Sequence, residues 1–194
     1  MSERLHRPPA EVRIIGGLWK RSRLPVADLP GLRPTPDRVR ETLFNWLGQD
    51  LSGWRCIDAF AGTGALGLEA ASRGASEVRL VEQQPALVAQ LLRLTARLQA
   101  AAVRVERGDG VTALQRLVPA SMDLVLLDPP FDSVLFEPAL AAAARALAPE
   151  GFVYLEAPRS WPDDSLAVAG LQRHRYLKAG AVHAHLLRRA AALI

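Results

Sequence analysis

The chain is poor in cysteine, lysine and histidine, and it has no long apolar run. Cys56 is its one cysteine and cannot close an internal disulfide, so a reducing cytoplasm is the expected compartment and a small buried side chain the expected role. No uncharged apolar stretch approaches the roughly 18 residues that a membrane span needs. The opening MSERLHRPPA has no apolar core of a signal peptide, and no membrane partner is expected. Of the four histidines, His183 and His185 would share one face of a strand, but no third ligand stands near them, so no metal is expected. Lysine occurs only at positions 20 and 178. The bias to arginine runs through the whole chain and carries no weight as a sign of RNA.

The 194 residues, 49 % of them apolar, are enough for one domain with a core and a small appendage. Their charge is uneven. Residues 1–40 hold nine basic and four acidic side chains, while the remainder holds 15 basic and 16 acidic. The whole excess of the +4 chain sits at its N-terminal end, which points to a polyanion such as nucleic acid.

EVRIIGGLWKRSRLPV (11–26) reads as two short strands turning at Gly16-Gly17, where both positions tolerate positive φ. A proline-punctuated connector follows. TPDRVRETLFNWLG (35–48) is then a helix with Val39, Leu43, Phe44 and Leu47 on one face and Gly48 at its end. From residue 54, strands and helices alternate: WRCIDAF, EVRLVE, AVRVERGD, MDLVLLDPPF and FVYLEAP as strands, with helical segments between them. The helix EPALAAAARALAPEG is expected to run to Gly151. Repeated βα units imply a parallel sheet covered on both faces. LQRHRYLKAG and AVHAHLLRR close it as an antiparallel hairpin.

GTGALG (62–67), with Glu82 twenty residues past Gly62, fits the dinucleotide fingerprint G-x-G-x-x-G. The charges argue against a dinucleotide. Asp58 ends the first strand of the sheet and Asp128 the fourth, at the ligand-binding edge of such a fold. A pyrophosphate would be opposed by them, whereas S-adenosylmethionine carries a sulfonium and an ammonium that suit them. Gly62 and Gly64 would let the backbone pass close to the ligand, and Gly67 would allow close helix–strand packing.

DPPF (128–131) follows the apolar strand. Its two prolines fix the turn and remove two N–H donors, leaving a carboxylate, carbonyls and a ring. A planar base with an exocyclic amine fits such a cup: Asp128 and the Pro129 carbonyl accept its hydrogens, and Phe131 stacks on it. The nitrogen lone pair then faces an incoming methyl group.

RIIGGLWKRSRLPV, LRPTPDRVRETLFNWL, DAFAGTGALGLEAASRGA and LLDPPF together resemble the bacterial 16S ribosomal RNA (guanine-N2)-methyltransferases. The resemblance spans residue 12 to about 189. It implies a class I S-adenosylmethionine-dependent methyltransferase fold, Rossmann-like, with a seven-stranded, mostly parallel sheet, plus the N-terminal basic β-hairpin. It divides the chain into a basic extension over 1–34 and a methyltransferase domain over 35–194. It implies S-adenosylmethionine as cofactor and 16S rRNA or the small ribosomal subunit as partner. Asp58, Phe60, Gly62, Thr63, Gly64, Glu82, Gln83, Asp109 and Gly110 would bind the cofactor, with Glu82 on the ribose and Asp109 facing the adenine. Asp128, Pro129, Pro130 and Phe131 would form the methyl-acceptor site. Arg13, Lys20, Arg21, Arg23, Arg33, Arg38 and Arg40 would contact RNA, Trp19 is a candidate to stack on it, and Arg33-Pro34-Thr35 would border the cofactor cleft. Gln84 departs from the family, where a second acid is common. A monomer is expected. The competing readings are an adenine-N6 DNA methyltransferase, a nicotinamide-dependent oxidoreductase and a non-catalytic RNA-binding module.

Overall fold

The computed structural model describes residues 11–27, 29, 32 and 34–190. Strands β1 (Glu11–Arg13) and β2 (Arg23–Pro25) form a small antiparallel pair, followed by helix α1 (Asp37–Leu47). Then come β3 (Arg55–Asp58), α2 (Ala65–Ser72), β4 (Glu77–Glu82), α3 (Pro85–Arg97), β5 (Val103–Arg107), α4 (Gly110–Arg116), β6 (Met122–Leu127) and α5 (Phe136–Ala146). The chain ends in β7 (Leu147–Ala157), α6 (Asp163–Val168), β8 (Leu171–Ala179) and β9 (Val182–Arg189).

The large sheet has seven strands in the order β5-β4-β3-β6-β7-β9-β8. β5, β4, β3, β6 and β7 are parallel, and β9 and β8 are antiparallel additions. The central strands are apolar on both faces because helices cover both. Leu43 and Phe44 of α1, Leu68 of α2 and Leu91 of α3 pack on one face. Leu114 of α4, Leu140 of α5 and Leu166 of α6 pack on the other. The strand order reverses between β3 and β6, so their C-terminal ends diverge and leave a crevice there. The β8–β9 turn lies at the same edge, because His183 pairs with Ala157 at the end of β7.

Two local expectations change. Gly16-Gly17 is not the hairpin turn. The strands stop at Arg13 and Arg23, and a wide loop runs between them. Gly17 does take φ +73, but its purpose is close approach: a Cβ there would lie 1.9 Å from the Ser72 carbonyl oxygen. The loop docks on α2, with Leu18 N–H donating to Ser72 O at 2.7 Å and Ser72 Oγ donating to Gly16 O at 2.6 Å. Helix α5 also ends earlier than expected, at Ala146, and the chain enters β7 through an irregularity. Met122 pairs with Leu147 and Leu124 with Phe152, so the APEG residues bulge out of register.

Candidate active site

Four strands end side by side in carboxylates. Asp58 closes β3 and sits level with Leu80 of β4 and Leu126 of β6. Glu82 stands two residues beyond Leu80. Asp128 follows Leu127, whose partner Leu155 precedes Glu156. With side chains alternating at a period of two, all four acids emerge on the face covered by α1 and α2.

Each acid is held differently. Asp58 is buried, its Oδ2 accepting the Gly67 N–H of α2 at 3.0 Å, while its Oδ1 is buried with no hydrogen-bond partner among the described residues. Gly67 has to be glycine for this approach, since a Cβ would meet Leu80 Cδ2 at 2.2 Å. Glu82 accepts Gly62 N–H through Oε2 at 2.9 Å and Gln84 N–H through Oε1 at 2.8 Å. It thereby ties the glycine loop to the end of β4. Glu156 is buried and accepts the Tyr154 hydroxyl at 2.9 Å. Asp128 is partly accessible, with Pro129 buried behind it and Phe131 exposed beside it.

Like charges drawn together out of water resist ionisation. Burial pushes the Asp58 carboxyl up to about 7, against the pull of the Gly67 and Phe60 amides, and Glu82 and Glu156 add repulsion. Burial also lifts Asp128 well above the usual carboxylate range, with Glu156 and then Asp58 contributing. Burial brings Glu156 to about 6, opposed by Thr35, Tyr154 and the Arg40 charge. The crevice is therefore an acidic site suited to a cationic ligand.

The rest of the cradle is backbone. Gly62 and Gly64 take φ +52 and +81, and Gly64 begins α2. Gly110 presses on the same loop: a Cβ there would lie 2.0 Å from the Ala59 carbonyl oxygen. Thr63 is buried, with Oγ1 accepting Ala65 N–H at 3.3 Å. Asp109 caps α4, its Oδ1 accepting Thr112 N–H at 2.7 Å. Gln83 is exposed beside Glu82. In the DPPF turn, Pro130 O accepts Ser133 N–H at 3.0 Å, and among the described residues no donor occupies the Pro129 carbonyl.

Residues 12–188 match the family model described as conserved hypothetical protein 95. The ribosomal RNA small subunit methyltransferase D of Escherichia coli (strain K12) is 41 % identical over 182 residues, covering 88 % of this chain and 91 % of the relative. The enzyme of the same name from Haemophilus influenzae is 39 % identical over 157 residues, covering 78 % and 81 %. The chain belongs to this family. A solved structure of a proposed methyltransferase from Escherichia coli superposes with a TM-score of 0.79 at 37 % identity, covering 92 % of this chain and 98 % of that one. A precorrin-6y C5,15-methyltransferase from Geobacter metallireducens, 17 % identical, shares the fold with a TM-score of 0.66, covering 85 % and 93 %. The class I methyltransferase architecture is thus established.

The family fold separates the basic residues expected at RNA. Arg40 is a correction: its side chain is fully buried and belongs to the core. Its guanidinium donates to Glu69 at 3.3 Å, to Asp37 at 2.6 Å and to the Arg13 and Thr35 carbonyls. Arg13, Lys20, Arg21, Arg23 and Arg38 are exposed. Arg38 stands at the start of α1. Lys20 and Arg21 belong to the loop docked at Ser72, at the far end of α2 from Gly64, about 12 Å along the helix. Arg33 lies outside the described residues; Thr35 is buried, its carbonyl accepting from Arg40 Nε at 3.2 Å. Trp19 is partly buried, packs against the core, and donates its backbone N–H to Ser72 Oγ at 2.9 Å. His185 is buried, accepting Trp161 N–H at 3.0 Å.

Two acids escaped the reading of the sequence. Glu156 had a signal, since FVYLEAP ends a strand in an acid just as LVLLDPP does. Glu69 had none: an acid in an otherwise apolar helix gives no hint of its partners 53 and 54 residues away.

Proposed function

We propose that this protein transfers a methyl group from S-adenosylmethionine to the exocyclic N2 of a guanine in 16S ribosomal RNA of the small subunit. The observation that carries the reading is the row of strand-end carboxylates, with the unpartnered Asp58 oxygen, running into the acceptor-rich DPPF turn. Family membership supports rRNA as the substrate.

Asp58 and the Gly62–Gly64 loop would hold the amino-acid end of the cofactor, Glu82 the ribose hydroxyls, and Asp109 with Gly110 the adenine side. Bound there, S-adenosylmethionine supplies a methyl group on a cationic sulfonium. Asp128 and the Pro129 carbonyl accept the two amine hydrogens of the base, which turns the nitrogen lone pair toward the donor side. Phe131, exposed at the lip, stacks on the ring. Burial, and then the repulsion of Glu156 and Asp58, raises the proton affinity of Asp128, which suits it to take the proton the amine sheds. Paired guanine would have to be flipped out to reach this turn. After Phe131 the described chain is taken up by α5, α6 and β7 to β9, leaving no separate target-recognition region of the kind adenine-N6 DNA enzymes use.

The test is methyl transfer from isotopically labelled S-adenosylmethionine to unmodified small subunits and to naked 16S rRNA, with nucleosides identified by mass spectrometry. N2-methylguanosine is the expected product. Label in adenine N6 of DNA, or in no nucleic acid, would overturn the reading.

A pH dependence follows. Asp58, at about 7 in the free protein, must be ionised to meet a cation. Cofactor affinity should therefore fall as pH drops below about 7, by up to ~tenfold per pH unit for each proton displaced. The sign for folding is opposite: raised carboxylates make the free protein lose stability as pH rises from about 4 toward 7. Calorimetric titration at pH 5.5, 6.5 and 7.5 checks this through affinity and proton release. A pH-independent affinity would remove Asp58 from the cofactor site.

A further inference from the structure

The exposed cations are not confined to the N-terminal segment. Residues 171–190 hold five Arg or Lys, three His and no Asp or Glu. The β8–β9 turn brings one end of this hairpin to the catalytic edge, since Ala157 pairs with His183 and His183 with Lys178. Arg159, just past β7, lies at the same edge with its guanidinium 5.6 Å from the Trp161 ring centroid. Trp161 N–H in turn rests on His185. The Tyr176 ring lies 5.1 Å from His185 and its hydroxyl 2.6 Å from His183 Nδ1. Arg159, Lys178 and the Tyr176 ring are exposed, and the buried Trp161 and His185 and the half-buried His183 connect them.

Neighbouring charges sharpen the choice. Arg173 lies over the Tyr176 ring at 5.3 Å but is engaged by Asp163 at 3.0 Å. Among the described residues, neither Arg159 nor Lys178 has an ion-pair partner. Two free cations about an aromatic face match a phosphodiester backbone with an unstacked base.

We propose that Arg159, Lys178 and Tyr176 form an RNA docking surface at the same edge of the sheet as the acceptor turn, with Lys178 and Tyr176 on the face covered by α4 to α6, gripping phosphates that flank the target nucleotide and stacking one neighbouring base. This rests on the rRNA reading above. It assigns the C-terminal hairpin a share in substrate binding in addition to closing the sheet.

The experiment measures the affinity of the full chain for an unmodified 16S rRNA transcript by fluorescence anisotropy over a salt series. Wild type, Arg159→Ala/Lys178→Ala, Tyr176→Ala and Lys178→Glu are compared, with methyl transfer and cofactor affinity measured alongside. The double variant should bind RNA roughly tenfold more weakly, and its log–log salt slope should shrink by about 1.4, at ~0.7 per lost phosphate contact. Lys178→Glu should be weaker than wild type, and Tyr176→Ala should lose affinity with the slope unchanged. Cofactor affinity should not move. Equal RNA affinity and slope in all four proteins would overturn the proposal. Aggregation of the Lys178 variant with unchanged affinity would do the same, by assigning that lysine to protection of the edge strand β8. Wild type that binds RNA through these residues but transfers no methyl group would sink the reaction and leave the surface standing.

Discussion

Replacing Asp128 by alanine is expected to lower kcat for methyl transfer by roughly 10²–10⁴-fold while S-adenosylmethionine still binds. The carboxylate stands at the end of β6, next in register to Glu156, and is partly accessible at the mouth of the crevice. Alanine removes both an acceptor for the substrate amine and a group able to take its proton. Asp128→Asn is the instructive companion, because its amide keeps one acceptor oxygen for the amine but cannot take its proton. It should therefore be impaired, but less so than Asp128→Ala. Stability should not suffer. Asp128 is pushed well above the usual carboxylate range by burial, Glu156 and Asp58, so its loss relieves repulsion. Single-turnover kinetics with saturating cofactor, alongside thermal melts, separate the effects. An Asp128→Ala protein with wild-type kcat would take the DPPF turn out of the reaction.

Removing Glu69 should cost about 3–5 kcal/mol, a large part of the stability of a domain this size. The side chain is completely buried in α2 and serves four donors. Oε2 accepts Ile15 N–H at 2.8 Å and Arg40 at 3.3 Å; Oε1 accepts Gly16 N–H at 2.8 Å and Arg73 at 2.9 Å. Glu69→Ala strands two amides and the buried Arg73 charge, and leaves Arg40 with Asp37 as its remaining acid among the described residues. Arg73 keeps its position over the Phe44 ring, 4.7 Å from the centroid, but loses its counter-charge. The melting temperature should fall on the order of 10 °C or more. Hydrogen exchange should show the amides of Ile15 and Gly16 losing protection first. Glu69→Gln, which keeps one acceptor oxygen, should be milder. A shift below about 2 °C for Glu69→Ala would mean that the N-terminal loop is held by its apolar contacts alone. Val12, Ile14 and Leu24 supply those contacts, buried in the same cluster as α1 and α2.

Both predictions rest on acids, one partly accessible and one fully buried, yet only the first was legible in the sequence. Asp128 announces itself because a carboxylate after an apolar strand and before two prolines constrains its own surroundings. The same holds for Asp58, Glu82 and the glycines between them. Their roles in the chain geometry depend largely on neighbours within a strand–turn–helix unit, as the contact of Gly67 with Asp58 shows, whereas the contact of Gly110 with Ala59 joins two separate units. Glu156 was half legible as a strand-end acid. Arg40 was misread for a physical reason. In DRVRETLF, Arg38 and Arg40 look alike, but helical periodicity sends Arg38 outward and turns Arg40 toward Glu69. Nothing within α1 reveals that an acid waits there.

The sequence by itself determined the alternation of βα units, the antiparallel closing hairpin, the acidic crevice and the acceptor turn, because periodicity, turn chemistry and strand-end charge are local properties. Tertiary structure alone decided which charges are free. It buried Arg40 and Arg73 on Glu69, carried Lys20 and Arg21 to the far end of α2, and brought Lys178 to the catalytic edge through the antiparallel return of β9 and β8. A charge meets solvent or a partner according to what packs over it, and the partners here come from segments far apart in the chain.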